Sequence, residues 1–495
     1  MPSLFEPGRN CWRLARAHRA AFLIDAGPYF EALVEAAAQA RHTLYILGWD
    51  LHSRVRLRLG DEAIPEDYPP ALDDGRAELA RFLDGLVEMR PDLQVYINVW
   101  DYHMLYLRER ELFQHLKLGW ATHERIHFVQ DGVHRFGASH HQKVVVIDDA
   151  IAFAGGIDLT FGRWDTCEHL GHDARRVDPD GKPVRPFHDA QMAVDGAAAA
   201  ALGDLFRDRW RNATGAQLEP PPRVTSFPWP ENLAVDVEDV EVAISRTDST
   251  VATEPPVREV EQLWLDSVAA ARHSIYIENQ YLTSERIAEA LAARLREPAG
   301  PEVIVVTPRE QCDWLEEGTM GILRAGFLNA LGRADLHSRL RILYPVVPGL
   351  DGECVNVHSK LVIVDDELAR IGSANLSERS MSLDTECDLA FEADGRADLA
   401  AGIAALRHRL LGEHLGVDPE VVAAAERERG SVTSAIDALH GGERTLEPLD
   451  WKGRGLLGTA VANVVFVEGP VRRFSRAVAP WAEVALVAAA ATAIT

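Results

Sequence analysis

Residues 141–159 read HQKVVVIDDAIAFAGGIDL, and residues 358–376 read HSKLVIVDDELARIGSANL. His141, Lys143 and Asp148 recur as His358, Lys360 and Asp365, and the same offset still holds where Leu159 answers Leu376. The runs VVVI and LVIV show no polar alternation, which marks strands buried on both faces of a helix-covered sheet. Leu93–Val99, Glu302–Val306 and Arg341–Val346 have the same β-branched character.

Upstream of each stretch lies a second match. Residues 40–53 read ARHTLYILGWDLHS, and 271–284 read ARHSIYIENQYLTS. A helical apolar pattern precedes each, with Phe30, Leu33, Val34 and Ala37 in one and Leu263, Trp264, Val268 and Ala271 in the other. A long repeat in two copies predicts an α/β protein of two similar lobes rather than a solenoid. Each lobe is expected to be a mixed β-sheet flanked by helices, the pair related by a pseudo-two-fold axis and packed as a sandwich. The Pro-rich run EPPPRVTSFPWP at 219–230 and the shorter one at 254–257 divide the copies. The expected organisation is a first lobe over 1–218, a linker with the leading strand of the next lobe over 219–258, a second lobe over 259–415, and an extension over 416–495. Within the extension, Glu420–Arg429 predicts a charged helix, capped by Asp418 with Pro419 at its first position.

Each His-x-Lys pair places two side chains on one side of an extended segment. Two such pairs facing each other supply a nucleophile on one side of a phosphorus atom and an acid on the other. An imidazole of ordinary pKa, about 6.5, allows one histidine to be neutral while its partner is protonated. The lysines offset charge that spreads over phosphate oxygens in the transition state. Only five lysines stand among 51 basic residues, yet both motif positions are Lys. A compact ammonium is chemically distinct from a planar guanidinium, so the choice carries information. This chemistry needs no metal and no cofactor, and no metal-ligand cluster is visible in the sequence.

The motifs resemble those of the phospholipase D superfamily over roughly residues 10–415. HSKLVIVDD with IGSANLSERSMSLDTE is similar to the family's second motif. HHQKVVVIDD with GGIDLTFGRWDT and PFHDAQMAVDG resembles the first motif of the eukaryotic-like lipid enzymes, and IYIENQY at 275–281 resembles another element characteristic of that branch. The resemblance implies that His141 attacks phosphorus to form a phosphohistidine, that His358 protonates the leaving alcohol and then activates water or a second alcohol, and that Lys143 and Lys360 bind phosphate oxygens. Ser373 and Asn375 match a family turn that helps hold the phosphate. Gly156 and Asp158 replace them in the first copy, and Gly156 is the corresponding candidate for substrate binding.

Aligning DAQMAVD with ECDLAFE sets Asp189 opposite Glu386, and both are candidates for orienting the histidines. Asp148 and Asp365 are expected to brace the fold from a buried strand. Asp165 and His169 are read as loop residues that line the cleft or are merely solvated, and His140 as structural.

The expected activity is hydrolysis of a phosphatidylcholine-like glycerophospholipid to phosphatidate and a headgroup alcohol, with transfer to other alcohols through the same intermediate. Cardiolipin-type phospholipid synthesis by phosphatidyl transfer, a nuclease and a silent lipid-binding scaffold are the alternatives. The formal charge of −25 opposes binding to nucleic acid. Five scattered cysteines suggest neither a disulfide framework nor zinc and favour a reducing compartment. With no apolar signal segment in residues 1–20 and no run of about 20 apolar residues, a cytoplasmic protein is expected. Peripheral membrane contact would come through loops or the apolar tail at 484–495.

Overall fold

The computed structural model describes residues 3–59, 78–101, 122–250, 253, 255–310, 314–350 and 353–451, apart from 225, 226 and 228. The apolar tail at 484–495 and Cys312 lie outside them. In chain order the first half contains β1 (Arg13–Ile24), α1 (Ala26–Ala38), β2 (Thr43–Gly48), α2 (Leu79–Met89), β3 (Gln94–Trp100) and β4 (Ile126–Asp131). It continues with β5 (Val144–Ile147), β6 (Ile151–Gly155), β7 (Phe187–His188), β8 (Ala190–Asp195) and α3 (Gly196–Thr214). The second half contains β9 (Val237–Asp248), β10 (Val257–Arg258), α4 (Glu259–Ala270), β11 (Ser274–Asn279), α5 (Glu285–Arg296) and β12 (Glu302–Val306). Then come α6 (Trp314–Ala334), β13 (Leu340–Val346), β14 (Asn356–Val357), β15 (Lys360–Val364), β16 (Leu368–Gly372), α7 (Glu378–Ser382), β17 (Glu386–Glu392) and α8 (Ala397–Leu415). The extension adds α9 (Pro419–Arg429), α10 (Val432–Leu439) and β18 (Thr445–Pro448).

The repeat is visible in the pairing. β2, β3 and β4 run parallel, and β2 then continues antiparallel through β5, β6 and β8. β11, β12 and β13 run parallel, and β11 continues antiparallel through β15, β16 and β17. Two separate sheets were expected. Instead the long strands β1 and β9 pair with each other and with β8 and β17, joining everything into one 16-stranded mixed sheet. The strand expected after the linker is β9, and it is central to the sheet because it finds a partner along nearly its whole length. The extension is likewise part of the sheet, since β18 pairs with β13. Helix α9 has the bounds and leading Pro419 that the sequence implies.

The unbroken apolar runs are explained by which core each residue enters. Val144 and Val146 of β5 and Leu361 and Ile363 of β15 lie in one central cluster that includes residues of both halves. Their neighbours Val145 and Ile147 face a cluster under α1 and α2. Val362 and Val364 face another under α4 and α5. Each fully buried side chain of this kind stabilises by about 1.5–3 kcal/mol, so neither face tolerates a polar residue. Strands β6 and β8 also contact β16 and β17, so the sheet curls and brings its halves together. A two-stranded parallel pair, β7 with β14, crosses between the halves at that point.

Candidate active site

The His-Lys pairs sit at the leading ends of β5 and β15. His141 and Lys143 lie just before β5, and Lys360 is the first residue of β15, so the extended segment only partly belongs to the regular strand. Asp148 and Asp365 lie one residue past these strands, in turns with φ of 53° and 52°. Asp148 accepts from the backbone N–H groups of Arg41, His42 and Thr43, and Asp365 from those of Arg272, His273 and Ser274. Both tie a turn to the start of the neighbouring strand, and neither shares a hydrogen bond with the motif histidines.

Hydrogen bonds across the halves bring the motifs together. His141 N donates to Thr385 O at 2.9 Å, and Thr385 N returns a bond to Ser139 O at 3.0 Å. His358 N donates to His188 O at 2.7 Å. These contacts set up crossed side-chain pairs. His141 Nδ1 lies 3.0 Å from Glu386 Oε2, and His358 Nδ1 lies 2.6 Å from Asp189 Oδ2. Each imidazole is thus held by the carboxylate of the other copy. The ring side chains remain 14% and 12% exposed, while both carboxylates are fully buried. With Nδ1 fixed, Nε2 is the nitrogen each ring offers to a substrate.

The residues after each motif make the two pairs unequal. A Cβ on Gly156 would lie 2.1 Å from Asp189 Oδ1, so this glycine makes room for the carboxylate. Its counterpart Ser373 donates from Oγ to Glu386 Oε2 at 2.5 Å. Asp158 pairs with Lys143 at 3.1 Å. Its counterpart is the neutral Asn375, and Lys360 has no ion-pair partner among the described residues. Lys360 Nζ instead lies 2.9 Å from His358 Nδ1 and donates to His358 O.

Burial, then the nearby cations, pushes both imidazoles well below the usual histidine range. Lys143 and Lys360 act on His141; Lys360, Arg163, Lys143 and His141 act on His358. These mutual effects place both rings and both lysines in one electrostatic environment. Both shifts favour the neutral imidazole. A phosphate anion bound between the two rings would oppose the lysines' effect. Burial also depresses Lys360, to about 7, against the pull of Asp189. Burial raises both carboxylates, Glu386 with help from Asp384.

Several residues were missed or misread from sequence. Arg163 acts on His358, and its Nε is buried without a hydrogen bond; its guanidinium lies over Phe187, which packs on His358. Trp49 meets His141 edge-on, with Lys143 beyond its face. In the sequence, GRWD and LGWD stand out only as a family match and as part of a repeat. Asp165 and His169 are fully buried, which corrects the reading of them as cleft-lining or solvated loop residues. His169 Nδ1 pairs with Asp165 Oδ2 at 2.9 Å, in a cluster with Asp25, His188 and Glu413. His140 is buried and bonds to Thr385 Oγ1 at 3.1 Å, away from the motif pair.

Comparison with known proteins agrees with this arrangement. A family model described as "Phospholipase D" matches residues 121–256, and one described as "Cardiolipin synthase, PLD-like domain" matches residues 265–404. Phospholipase D1 of Saccharomyces cerevisiae is 26% identical over 508 residues, covering 82% of this chain and 29% of its own length. Phospholipase D1 of Schizosaccharomyces pombe is 25% identical over 387 residues, covering 58% of this chain and 28% of its own. The chain thus spans about a third of the length of these relatives. The crystal structure of phosphatidylserine synthase from Haemophilus influenzae Rd KW20 aligns with a TM-score of 0.52 at 14% identity, over 81% of this chain and 89% of that one, which speaks for the fold alone. The chain belongs to the phospholipase D superfamily.

Proposed function

We propose that the protein is a phospholipase D-type phosphodiesterase acting on glycerophospholipids such as phosphatidylcholine. The crossed imidazole–carboxylate pairs support this reading, because each holds a motif histidine through Nδ1 and leaves its Nε2 for a shared phosphorus. His141 Nε2 attacks phosphorus while the bond to the headgroup oxygen breaks, and His358 delivers its proton to that oxygen. His358 then takes a proton from water, whose oxygen displaces His141 and releases phosphatidate. A primary alcohol in place of water gives a phosphatidyl alcohol by the same step. Lys143, Lys360 and Arg163 hold the phosphate oxygens, with Ser373 and Asn375 shaping the cradle and Gly156 leaving room for the Asp189 carboxylate that orients His358.

Phosphatidyl transfer to a lipid alcohol, as in phospholipid synthesis, is the second reading, supported by the family description over 265–404. The net charge of −25 argues against nucleic acid as substrate. Among the described residues no helix is long and apolar enough to cross a membrane. The substrate is proposed to be met at a membrane surface.

The test is incubation with labelled phospholipids and with DNA, with and without ethanol or phosphatidylglycerol, with products resolved and acid-labile phosphohistidine sought after quenching in denaturant at neutral pH. Phosphatidate, and phosphatidylethanol with ethanol, are expected. Transfer to phosphatidylglycerol alone favours the synthase, and cleavage of DNA with no lipid turnover refutes both.

A further inference from the structure

Away from the motif nitrogens, the interior gathers a second set of donors that the proposed reaction does not use. We propose that Asp25, His169, His188 and Glu413 form a closed binding site for one divalent transition-metal ion of the Zn2+ type. They come from four places: the β1–α1 junction, the loop before β7, β7 itself, and the last turn of α8. Their ligand atoms all lie within 4.8 Å of one another. His188 Nδ1 is 2.8 Å from Glu413 Oε1 and 3.2 Å from Asp25 Oδ1. His169 Nε2 is 3.0 Å from the same Glu413 oxygen and 3.7 Å from Asp25 Oδ2. Zinc bonds of about 2.0–2.1 Å in a tetrahedron require ligand edges of about 3.3 Å, close to these separations.

Three further observations point to an ion rather than to a self-satisfied polar cluster. Asp25 Oδ2 and His188 Nδ1 are buried, and their ion-pair contacts with His169, Asp25 and Glu413 lack hydrogen-bond geometry. Each histidine gives its other nitrogen to a carboxylate: His169 Nδ1 to Asp165 Oδ2 and His188 Nε2 to Glu278 Oε2, both at 2.9 Å. That outer carboxylate is what fixes the tautomer and orientation of a metal-bound imidazole. Lastly, Asp25 and His169 are non-glycine residues at φ of 67° and 43°. Such backbone persists where the surroundings demand a particular side-chain direction.

Two imidazole nitrogens with two carboxylates suit a transition ion better than Ca2+ or Mg2+, which take oxygen ligands. Side-chain exposure is zero for Asp25, His169 and His188 and 5% for Glu413, so no position is open to substrate, as in structural zinc sites. The ion would staple α8 of the second half to β7 of the first, next to Asp189. That would lock the strand from which His358 is oriented.

Metal content of the untagged full chain, measured by mass spectrometry after dialysis, is expected to be about one ion per chain. Stripping with dipicolinate should lower Tm by several degrees, and adding Zn2+ back should restore it. Co2+ should give the intense visible bands of a four-coordinate site. His169→Gln should lose the ion, the bands and the Tm response together. Asp165→Asn, which keeps all four ligands, should weaken affinity about 10–100-fold. Wild-type protein that holds no stoichiometric metal, and whose Tm ignores Zn2+, Co2+ and Mn2+, overturns the site. So does full metal retention in His169→Gln. If that variant does not fold, the wild-type add-back and Asp165→Asn decide.

Discussion

Replacing Asp189 by Asn exchanges one oxygen for an amide nitrogen and should invert the hydrogen bond that orients His358. The direction is set by the neighbours. Asp189 Oδ1 accepts from Ala190 N at 2.8 Å, so an Asn must keep its carbonyl oxygen there. Its NH2 then takes the place of Oδ2, 2.6 Å from His358 Nδ1, and can only donate. Nδ1 becomes an acceptor, the ring proton moves to Nε2, and His358 can neither accept a proton from water nor be stabilised as an imidazolium. Loss of a correctly placed acid or base costs about 10²–10⁴ in rate, and a wrong tautomer lies at the upper end of that range. A loss of 10³–10⁴ corresponds to about 4–5.5 kcal/mol of transition-state stabilisation.

The leaving group separates this effect from general damage. A p-nitrophenyl phosphodiester expels an alcohol that needs no proton. Asp189→Asn should therefore release close to one equivalent of nitrophenol in a burst, accumulate phosphohistidine, and then stall. Glu386→Ala, which removes the carboxylate from the nucleophile instead, should show no burst. The reverse pattern exchanges the roles of the two histidines. Near wild-type turnover in both variants refutes the catalytic role of the crossed pairs.

Gly156→Ala should lower kcat by about 10² or more, because its Cβ must displace the Asp189 carboxylate from 2.1 Å, and misplacement near 1 Å costs about that much; unchanged kcat in a folded variant counts against Asp189. Lys360, depressed to about 7, is charged below that pH and neutral above it, so kcat/KM should fall as pH rises from about 7 to 8. The kcat at saturation should hold to higher pH, because a bound phosphate anion favours the ammonium; a kcat/KM profile flat to pH 9 contradicts this. Asp148→Asn should lower stability by about 3 kcal/mol, since it weakens three charge-assisted bonds to backbone N–H groups, and leave kcat within a few-fold. A Tm series beside initial rates checks both halves of that statement.

What could be read from residue order is whatever depends on nearby residues. The motif dyads, the doubly buried β5 and β15 and the span of α9 all follow from spacing and side-chain type within one stretch. Asp189 and Glu386 could be picked out because they occupy matching positions in matching strands. Which histidine each one serves could not, because that depends on how the halves dock. The single sheet was hidden for a related reason: β9 follows a Pro-rich run, and only its pairing with β1 and β17 makes it central. Asp25, His169, His188, Glu278 and Glu413 were invisible as a cluster, since residues so dispersed in sequence are assembled by folding alone.

One repeated motif has to furnish two opposite proton functions, and the differences that allow this lie outside the motif. At one turn Asp158 compensates Lys143 and Gly156 clears space for Asp189; at the other the neutral Asn375 gives Lys360 no ion pair among the described residues and Ser373 bonds to Glu386. Lys360 sits against its own histidine at 2.9 Å, so the charge that burial makes costly there bears most directly on His358. A phosphate drawn to that lysine would favour protonation of the adjacent ring, whereas the lysine beside His141 is already paired with Asp158. On this reasoning substrate binding itself assigns the acid and the nucleophile. Because each ring is oriented by a carboxylate from the other copy, neither half contains a complete pair, and the chemistry exists only where the two meet.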